Sequence, residues 1–290
     1  MQSFFNQATL SYNGITLASN VTRGTVADIL SATKTAVEPT YASGSENTFV
    51  INLVNSGATA LTGLTLTDDL GSYAFNTGTG NAQTLYPLTY RDGSVQYYVN
   101  GVRQPAPTVT NTDGMTITGI NIPAGGNATI VYAVNANEFA PLDNGASIVN
   151  TATLTGPGIN LPVTAQATVS TAAAPLLDII KSLNPQTVTG GAPVTYTFNI
   201  TNTGAVAATA DDNVQVRDTF TPPLANLTAT LDGIPLDTTQ YTYNEQTGEF
   251  ATNPGVITVP AAAFLQNAGS GAYSASPGEA VLEVTGTLNP

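Results

Sequence analysis

Residues 6–17 read NQATLSYNGITL and residues 150–161 read NTATLTGPGINL; the two agree at seven of twelve positions without a gap. One supersecondary unit therefore occurs twice, once at the start of the chain and once past its middle. In both copies apolar residues recur every second position after the asparagine, which is the pattern of half-buried β-strands.

A larger repeat surrounds this pair. Lys34 is followed by Asn55 and Gly57 at 21 and 23 residues, and Lys181 by Asn202 and Gly204 at the same distances. Further on, LTLTDDL (64–70) matches VQVRDTF (214–220), which aligns Asp68 with Asp218. PAGGNATIV (123–131) matches PGEAVL (277–282). The first copy continues into strands at 148–154 and 163–169, whereas the second stops after the strand at 281–288. The closing strands missing there resemble residues 6–17.

The expected domains are thus 1–26, a donor segment for a neighbouring subunit; 27–170, a first β-sandwich; 171–176, a linker; and 177–290, a second sandwich without its closing strands. Such a sandwich exposes core and unpaired backbone, and the gap demands an occupant. The joints at 24–29 and 170–176 are short, so successive domains should follow one line. The segment then completes another subunit, and a contact that does not close on itself makes a filament. A sharp bend at the joints would instead let the N-terminus close its own second domain. That alternative is a monomeric surface adhesin or glycan-binding module. The donor residues are Phe4, Phe5, Asn6, Ala8, Leu10, Ile15 and Leu17.

Short alternating runs, such as 48–54, 95–99, 129–134 and 194–200, lie between turn signals, and no long amphipathic helical pattern occurs. The fold class is all-β: two tandem immunoglobulin-like sandwiches. Of 290 residues, 42% are hydrophobic and 9% charged, with a net charge of -13. Without a basic run, nucleic acid and anionic membrane are not expected partners. No stretch is long enough to span a membrane, and residues 1–5 lack the basic and apolar segments of a secretory signal. Cysteine and histidine are absent, so a zinc site, a disulfide or a His- or Cys-based nucleophile is not expected. No context favours another hydrolytic mechanism, and the chain reads as a non-enzyme without cofactor or metal.

The two lysines of the chain occupy the same repeat position. Alternation puts Lys34 on a face with Leu30, Ala32 and Ala36, and Lys181 with Leu177, Ile179 and Leu183. Asp68 lies with Leu64, Leu66 and Leu70, and Asp218 with Val214, Val216 and Phe220. Asn150 lies with Ile148, Ala152 and Leu154, and Asn6 with Phe4, Ala8 and Leu10. Burial disfavours both charged forms, lowering a lysine pKa and raising an aspartic acid pKa. A neutral amine beside a protonated carboxyl is what a Lys–Asn isopeptide bond requires. The candidate sets are Lys34, Asp68 and Asn150 within a subunit, and Lys181, Asp218 and a neighbour's Asn6 between subunits. The alternative is that the lysines extend to solvent at strand ends while the aspartates satisfy turns or pair with them.

The series Lys34, Asn55-Ser56-Gly57, Thr67-Asp68-Asp69-Leu70, Pro123-Ala124-Gly125 and Asn150-Thr151-Ala152-Thr153 resembles the "conserved repeat" family of unknown-function domains (number eleven) of bacterial and archaeal surface proteins. The resemblance covers nearly the whole chain, twice. It implies an immunoglobulin-like stalk or fibre module, and similar adhesin and pilin domains carry Lys–Asn isopeptide bonds with an acidic helper. Lacking a wall-sorting motif and a contiguous second domain, this chain is expected to be a free-standing fibre subunit of a spore or cell surface, with an unknown anchor. Asp211-Asp212-Asn213 lacks the spacing of a calcium loop. The sequons at Asn20, Asn127, Asn199 and Asn226 are ascribed to chance, and Tyr90, Tyr97, Tyr98, Tyr241 and Tyr243 to cross-strand packing.

Overall fold

A computed structural model describes residues 2–26, 28–77, 80 and 82–288; the domain limits expected at Met1, Ala27 and Pro290 lie outside the described residues. The alternating runs form strands, and among the described residues the one helical element is a 3-10 turn at Ala210–Asp212. The fold is all-β, with tandem sandwiches of the immunoglobulin-like kind.

The N-terminus is one long antiparallel hairpin. β1 (Gln2–Asn6) pairs with β4 (Thr22–Val26), and β2 (Thr9–Tyr12) with β3 (Ile15–Ala18). Asn13 and Gly14 close it at φ 45° and 78°, the positive values that a two-residue loop needs to match strand twist. Every hydrogen bond described for residues 2–26 is internal to the hairpin. It joins neither hydrophobic core.

The first sandwich comprises β5 (Leu30–Ala36), β6 (Glu46–Asn55), β7 (Leu61–Asp68), β8 (Gln96–Val99), β9 (Met115–Ile122), β10 (Asn127–Ala136), β11 (Ser147–Thr155) and β12 (Val163–Thr171). One sheet contains the order β8-β10-β6-β5 and the other β9-β7-β11-β12. Phe49, Ile51, Leu64, Leu66, Ile117, Ile130 and Tyr132 from their inner faces are fully enclosed. β11 and β12 form a hairpin; β11 pairs with the edge of β7, and β12 runs against β5, so together they close the sandwich.

The second sandwich repeats the plan up to that closure. It contains β13 (Leu177–Asn184), β14 (Pro193–Asn202), β15 (Arg217–Thr219), β16 (Leu224–Leu231), β17 (Tyr241–Tyr243), β18 (Glu249–Thr252), β19 (Ala263–Gln266), β20 (Tyr273–Ser276) and β21 (Gly278–Leu288). Its sheets run β13-β14-β21-β16 and β15-β18-β17. β15, the counterpart of β7, is paired along one edge only among the described residues. Among the described residues no hairpin pairs with β15 and β13 as β11–β12 does with β7 and β5.

Some boundaries differ from the sequence expectation. The strand read at 64–70 runs Leu61–Asp68, because Leu70 turns away at φ 50°. The matching strand read at 214–220 shrinks to Arg217–Thr219, held by one neighbour where β7 has two. Thr171, assigned to the linker, ends β12, its hydroxyl donating to the Asp143 carbonyl at 3.0 Å. The β19–β20 arm was not anticipated: Phe264 and Tyr273 pack on the first core, and the Tyr273 amide donates to the Glu138 carbonyl at 2.7 Å.

Candidate functional site

Three asparagines are fully enclosed, and their surroundings separate two kinds of role. The Asn55 side-chain amide donates to the Thr59 and Pro123 carbonyls at 2.8 and 3.0 Å, while its Oδ1 accepts from the Gly57 amide at 3.0 Å. Asn202 does the same with Val206, Pro260 and Gly204 at 2.8, 2.9 and 2.9 Å. These two repeat asparagines clamp loops, with both the amide nitrogen and the oxygen partnered. Asn150 is different. Its Nδ2 donates to the Tyr132 hydroxyl at 3.2 Å, and its Oδ1 is buried with no hydrogen-bond partner. A buried unsatisfied carbonyl costs roughly 1–3 kcal/mol, so Asn150 lacks the full set of partners that the two clamp asparagines have.

The strand pattern brings the partners to it. Lys34 on β5, Asp68 at the end of β7, Tyr132 on β10 and Asn150 on β11 all face the core, because each holds an inward place in its strand's alternation. Lys34 Nζ donates to Asp68 Oδ2 at 2.7 Å, with neither side chain exposed to solvent. The Tyr132 hydroxyl donates to the same oxygen at 2.6 Å. Nζ also lies 5.0 Å from the Phe49 ring centre and 5.8 Å from that of Tyr132. Lys34, Asp68, Tyr132 and Asn150 thus form one hydrogen-bonded series.

Burial governs the electrostatics. It pushes the Lys34 amine below its usual range, against the opposing pull of Asp68. It raises the Asp68 carboxyl, opposed by Lys34 and by hydrogen bonds from Lys34, Tyr132 and the Leu70 amide. Tyr132 is held well above the ordinary phenol range, first by burial and then by Asp68. Proton transfer from lysine to aspartate inside this pocket yields a neutral amine and a neutral acid, the state in which the amine is a nucleophile. The sequence reading named Lys34, Asp68 and Asn150; it missed Tyr132. The inward alternation of 128–134 was the available signal, but a core tyrosine looks like packing until its hydroxyl partners are known.

The second sandwich brings Lys181 and Asp218 into a hydrogen-bonded ion pair. Three rings surround Lys181, with the Tyr196, Phe198 and Phe220 centres at 4.8, 5.5 and 5.5 Å from Nζ. The pair is open: side-chain exposure is 41% for Lys181 and 17% for Asp218, so the inward burial expected of Lys181 is incomplete in the lone chain. The physical reason lies in the cover. Leu30, on the first sandwich's β5, is 7% exposed, whereas Leu177 at the same place on β13 is 40% exposed. Ile179 and Ile180 are exposed as well. Strand register places Val284 where the first sandwich has Tyr132, so no hydroxyl bridges outward from Asp218.

No described hydrogen bond joins Asn6 or the other expected donor residues to these clusters. Phe4, Phe5, Leu10, Tyr12, Ile15, Leu17 and Val21 of the hairpin are 49–64% exposed. The hairpin register pairs Asn6 with Thr22, as β11 pairs Asn150 with Ala167. The Phe4 ring lies across Gly24, where an added Cβ would come within 2.2 Å of it. Elsewhere, Asp212 accepts from the Thr209 amide at 2.7 Å in the 3-10 turn. Tyr97 and Tyr243 donate to the Asn121 and Leu224 carbonyls at 2.6 and 2.8 Å.

No family model and no curated protein matches the chain. Among solved structures, it is similar to the 35 kDa C-terminal fragment of the major pilin GBS80 of Streptococcus agalactiae, at 13% identity over 87% of this chain and 91% of that one, with a TM-score of 0.34. It also resembles the N-terminal domain of the Streptococcus gordonii adhesin Sgo0707, at 13% identity and a TM-score of 0.34, over 49% of this chain and about a third (32%) of that one. The collagen-binding domain of a Staphylococcus aureus adhesin is similar at 13% identity, over 49% of this chain and 99% of that one, with a TM-score of 0.30. These likenesses are too distant to bear on function, which is read from the chain's own geometry below.

Proposed function

We propose that this protein is a structural, non-enzymatic subunit of a surface fibre, which assembles head to tail when hairpin β1–β4 of one copy closes the second sandwich of the next. One observation carries the reading. The chain presents an unpacked apolar hairpin at one end, and at the other a sandwich open where the first sandwich is closed by a hairpin of matching sequence.

The energetics favour occupancy. Phe4, Leu10, Tyr12, Ile15 and Leu17 share one face by alternation and cross-strand register. They are already about half covered, so burying the remainder is worth about 4–8 kcal/mol before the costs of association. Strand addition also satisfies the free edge of β15. Charge assists, since residues 2–26 contain one arginine and no acid, leaving the remainder of the chain at about -14. In this arrangement Asn6 stands toward Lys181 and Asp218 as Asn150 stands toward Lys34 and Asp68. The first set ties one subunit internally, and the second makes the junction covalent.

Deleting residues 2–26 tests the assembly. The truncated protein is expected to stay monomeric by sedimentation, keep its first sandwich folded, and bind a synthetic 2–26 peptide saturably. An intact chain that stays monomeric at high concentration, with its own N-terminus seated on its second sandwich, would sink the proposal. Intact mass and denaturing electrophoresis test the bonds: each removes one ammonia, about 17 Da.

A further inference from the structure

Tyr132 has no part in the pairing of Lys34 with Asp68, yet its hydroxyl stands between that pair and the nitrogen that must leave. It is 2.6 Å from Asp68 Oδ2 and 3.2 Å from Asn150 Nδ2, with the side chain wholly enclosed. No other hydrogen bond to either Asn150 side-chain atom is described. We propose that Tyr132 is a catalytic residue of cross-link formation in the first sandwich, passing the Asp68 proton to the departing amide nitrogen of Asn150. This inference rests on the covalent reading above and adds a residue and a proton path to it.

Lys34 first gives a proton to Asp68, leaving a neutral amine and a neutral acid. The Nζ lone pair attacks Asn150 Cγ; a new C–N bond forms and the carbonyl electrons move to Oδ1. As Cγ becomes tetrahedral, the Nδ2 lone pair is released from amide resonance and turns from donor-bearing nitrogen to acceptor. The hydrogen bond to Tyr132 then reverses. The phenol donates to Nδ2 while taking the proton of Asp68, the Cγ–Nδ2 bond breaks, and ammonia departs. Asp68 regains a proton from the attacking nitrogen. The Oδ1 electrons return to re-form the carbonyl, and the products are one secondary amide and one ammonia with no redox change; Tyr132 is restored, and Asp68 ends as the neutral acid, holding the proton that left the lysine nitrogen.

Burial suits Tyr132 to this task. A phenol held well above its ordinary range stays protonated, so it relays a proton instead of adding a charge to a dry pocket. The second sandwich provides the contrast, since Val284 stands at the equivalent place. A junction between subunits at Lys181 and Asn6 would have to release its ammonia without this hydroxyl, and should mature more slowly than the internal bond.

The test is a time course of intact mass after pulsed cell-free synthesis of the full chain. Wild type is expected to lose about 17 Da. Tyr132→Phe, which keeps the ring, should stay unreacted or react at least roughly tenfold more slowly, with an unchanged β-type circular dichroism spectrum. Should the phenylalanine variant fail to fold, 3-fluorotyrosine at position 132 keeps the shape, and its more acidic phenol should change the rate. Equal rates in wild type and Tyr132→Phe, or a fluorotyrosine rate identical to wild type, would overturn the relay and leave the bond itself standing. A wild-type chain that never loses the mass would overturn both.

Discussion

Lys34 and Lys181 occupy the same repeat position, donate to equivalent aspartates and sit among aromatic rings, but only the first pair is sealed from solvent. The strands that carry them are alike. The difference lies in what lies over them: β11 and β12 close the sandwich over Lys34, whereas among the described residues no such hairpin lies over Lys181, which stays 41% exposed. Enclosure, more than identity of side chain, distinguishes a pair whose burial opposes both charges from a partly open ion pair. Burial shifts Lys34 and Asp68 toward neutrality, and its effect grows with cover.

The same substitution in the two sandwiches should therefore have unequal effects. In proteins blocked from cross-linking by Asn150→Ala, adding Lys34→Ala leaves a buried carboxylate unpaired and should cost about 3–5 kcal/mol in urea unfolding. Lys181→Ala in the unassembled chain should cost under about 1 kcal/mol. Equal costs would mean that enclosure does not distinguish the two sites.

The clamp asparagines sharpen the contrast, because they are equally buried in both sandwiches. Asn55→Ala and Asn202→Ala each strip hydrogen bonds from enclosed backbone groups and should each cost about 2–3 kcal/mol. A large difference between them, followed by separate probes in each sandwich, would show that the second sandwich is loosened throughout and not only at its open face.

A smaller effect is expected in pH. In the Asn150→Ala chain, folded Asp68 keeps its proton above the ordinary value of 3.8, at which the unfolded chain releases it. The folded state then binds more protons, so this group's contribution to stability is full below that value and falls as pH rises, by up to about 1.4 kcal/mol per pH unit. Unfolding midpoints between pH 3 and 7 should show this fall, and an added Lys34→Met and Asp68→Asn pair should remove it. An unchanged slope would place the Asp68 titration at its ordinary value.

The smallest expected effect is of salt on association rate. Whole subunits at -13 repel one another, and raising ionic strength from about 0.01 to 0.15 M should speed their assembly. Binding of the cationic 2–26 peptide to the truncated chain should slow slightly over the same range. The same sign for both would show that the hairpin is not read by charge.

Much of this was legible in the residues alone. Alternation located the strands, the two lysines announced a repeat, and NQATLSYNGITL against NTATLTGPGINL revealed a second, shorter repeat. Both signals are local: a period of two reports which face a side chain takes, and matched segments report shared structure. Where only tertiary structure decided, the cause was non-local. Tyr132 became a partner of Asp68 and Asn150 through strands that lie 64 and 18 residues away in the chain. Asn150 Oδ1 was left unmatched by the surrounding packing, and the β19–β20 arm reached back to the first core through contacts no period announces. Lys181 and Lys34 are indistinguishable by pattern, since alternation says which way a side chain points and not how much protein lies beyond it. That depends on the strands laid over the face, and in the second sandwich the face lies open.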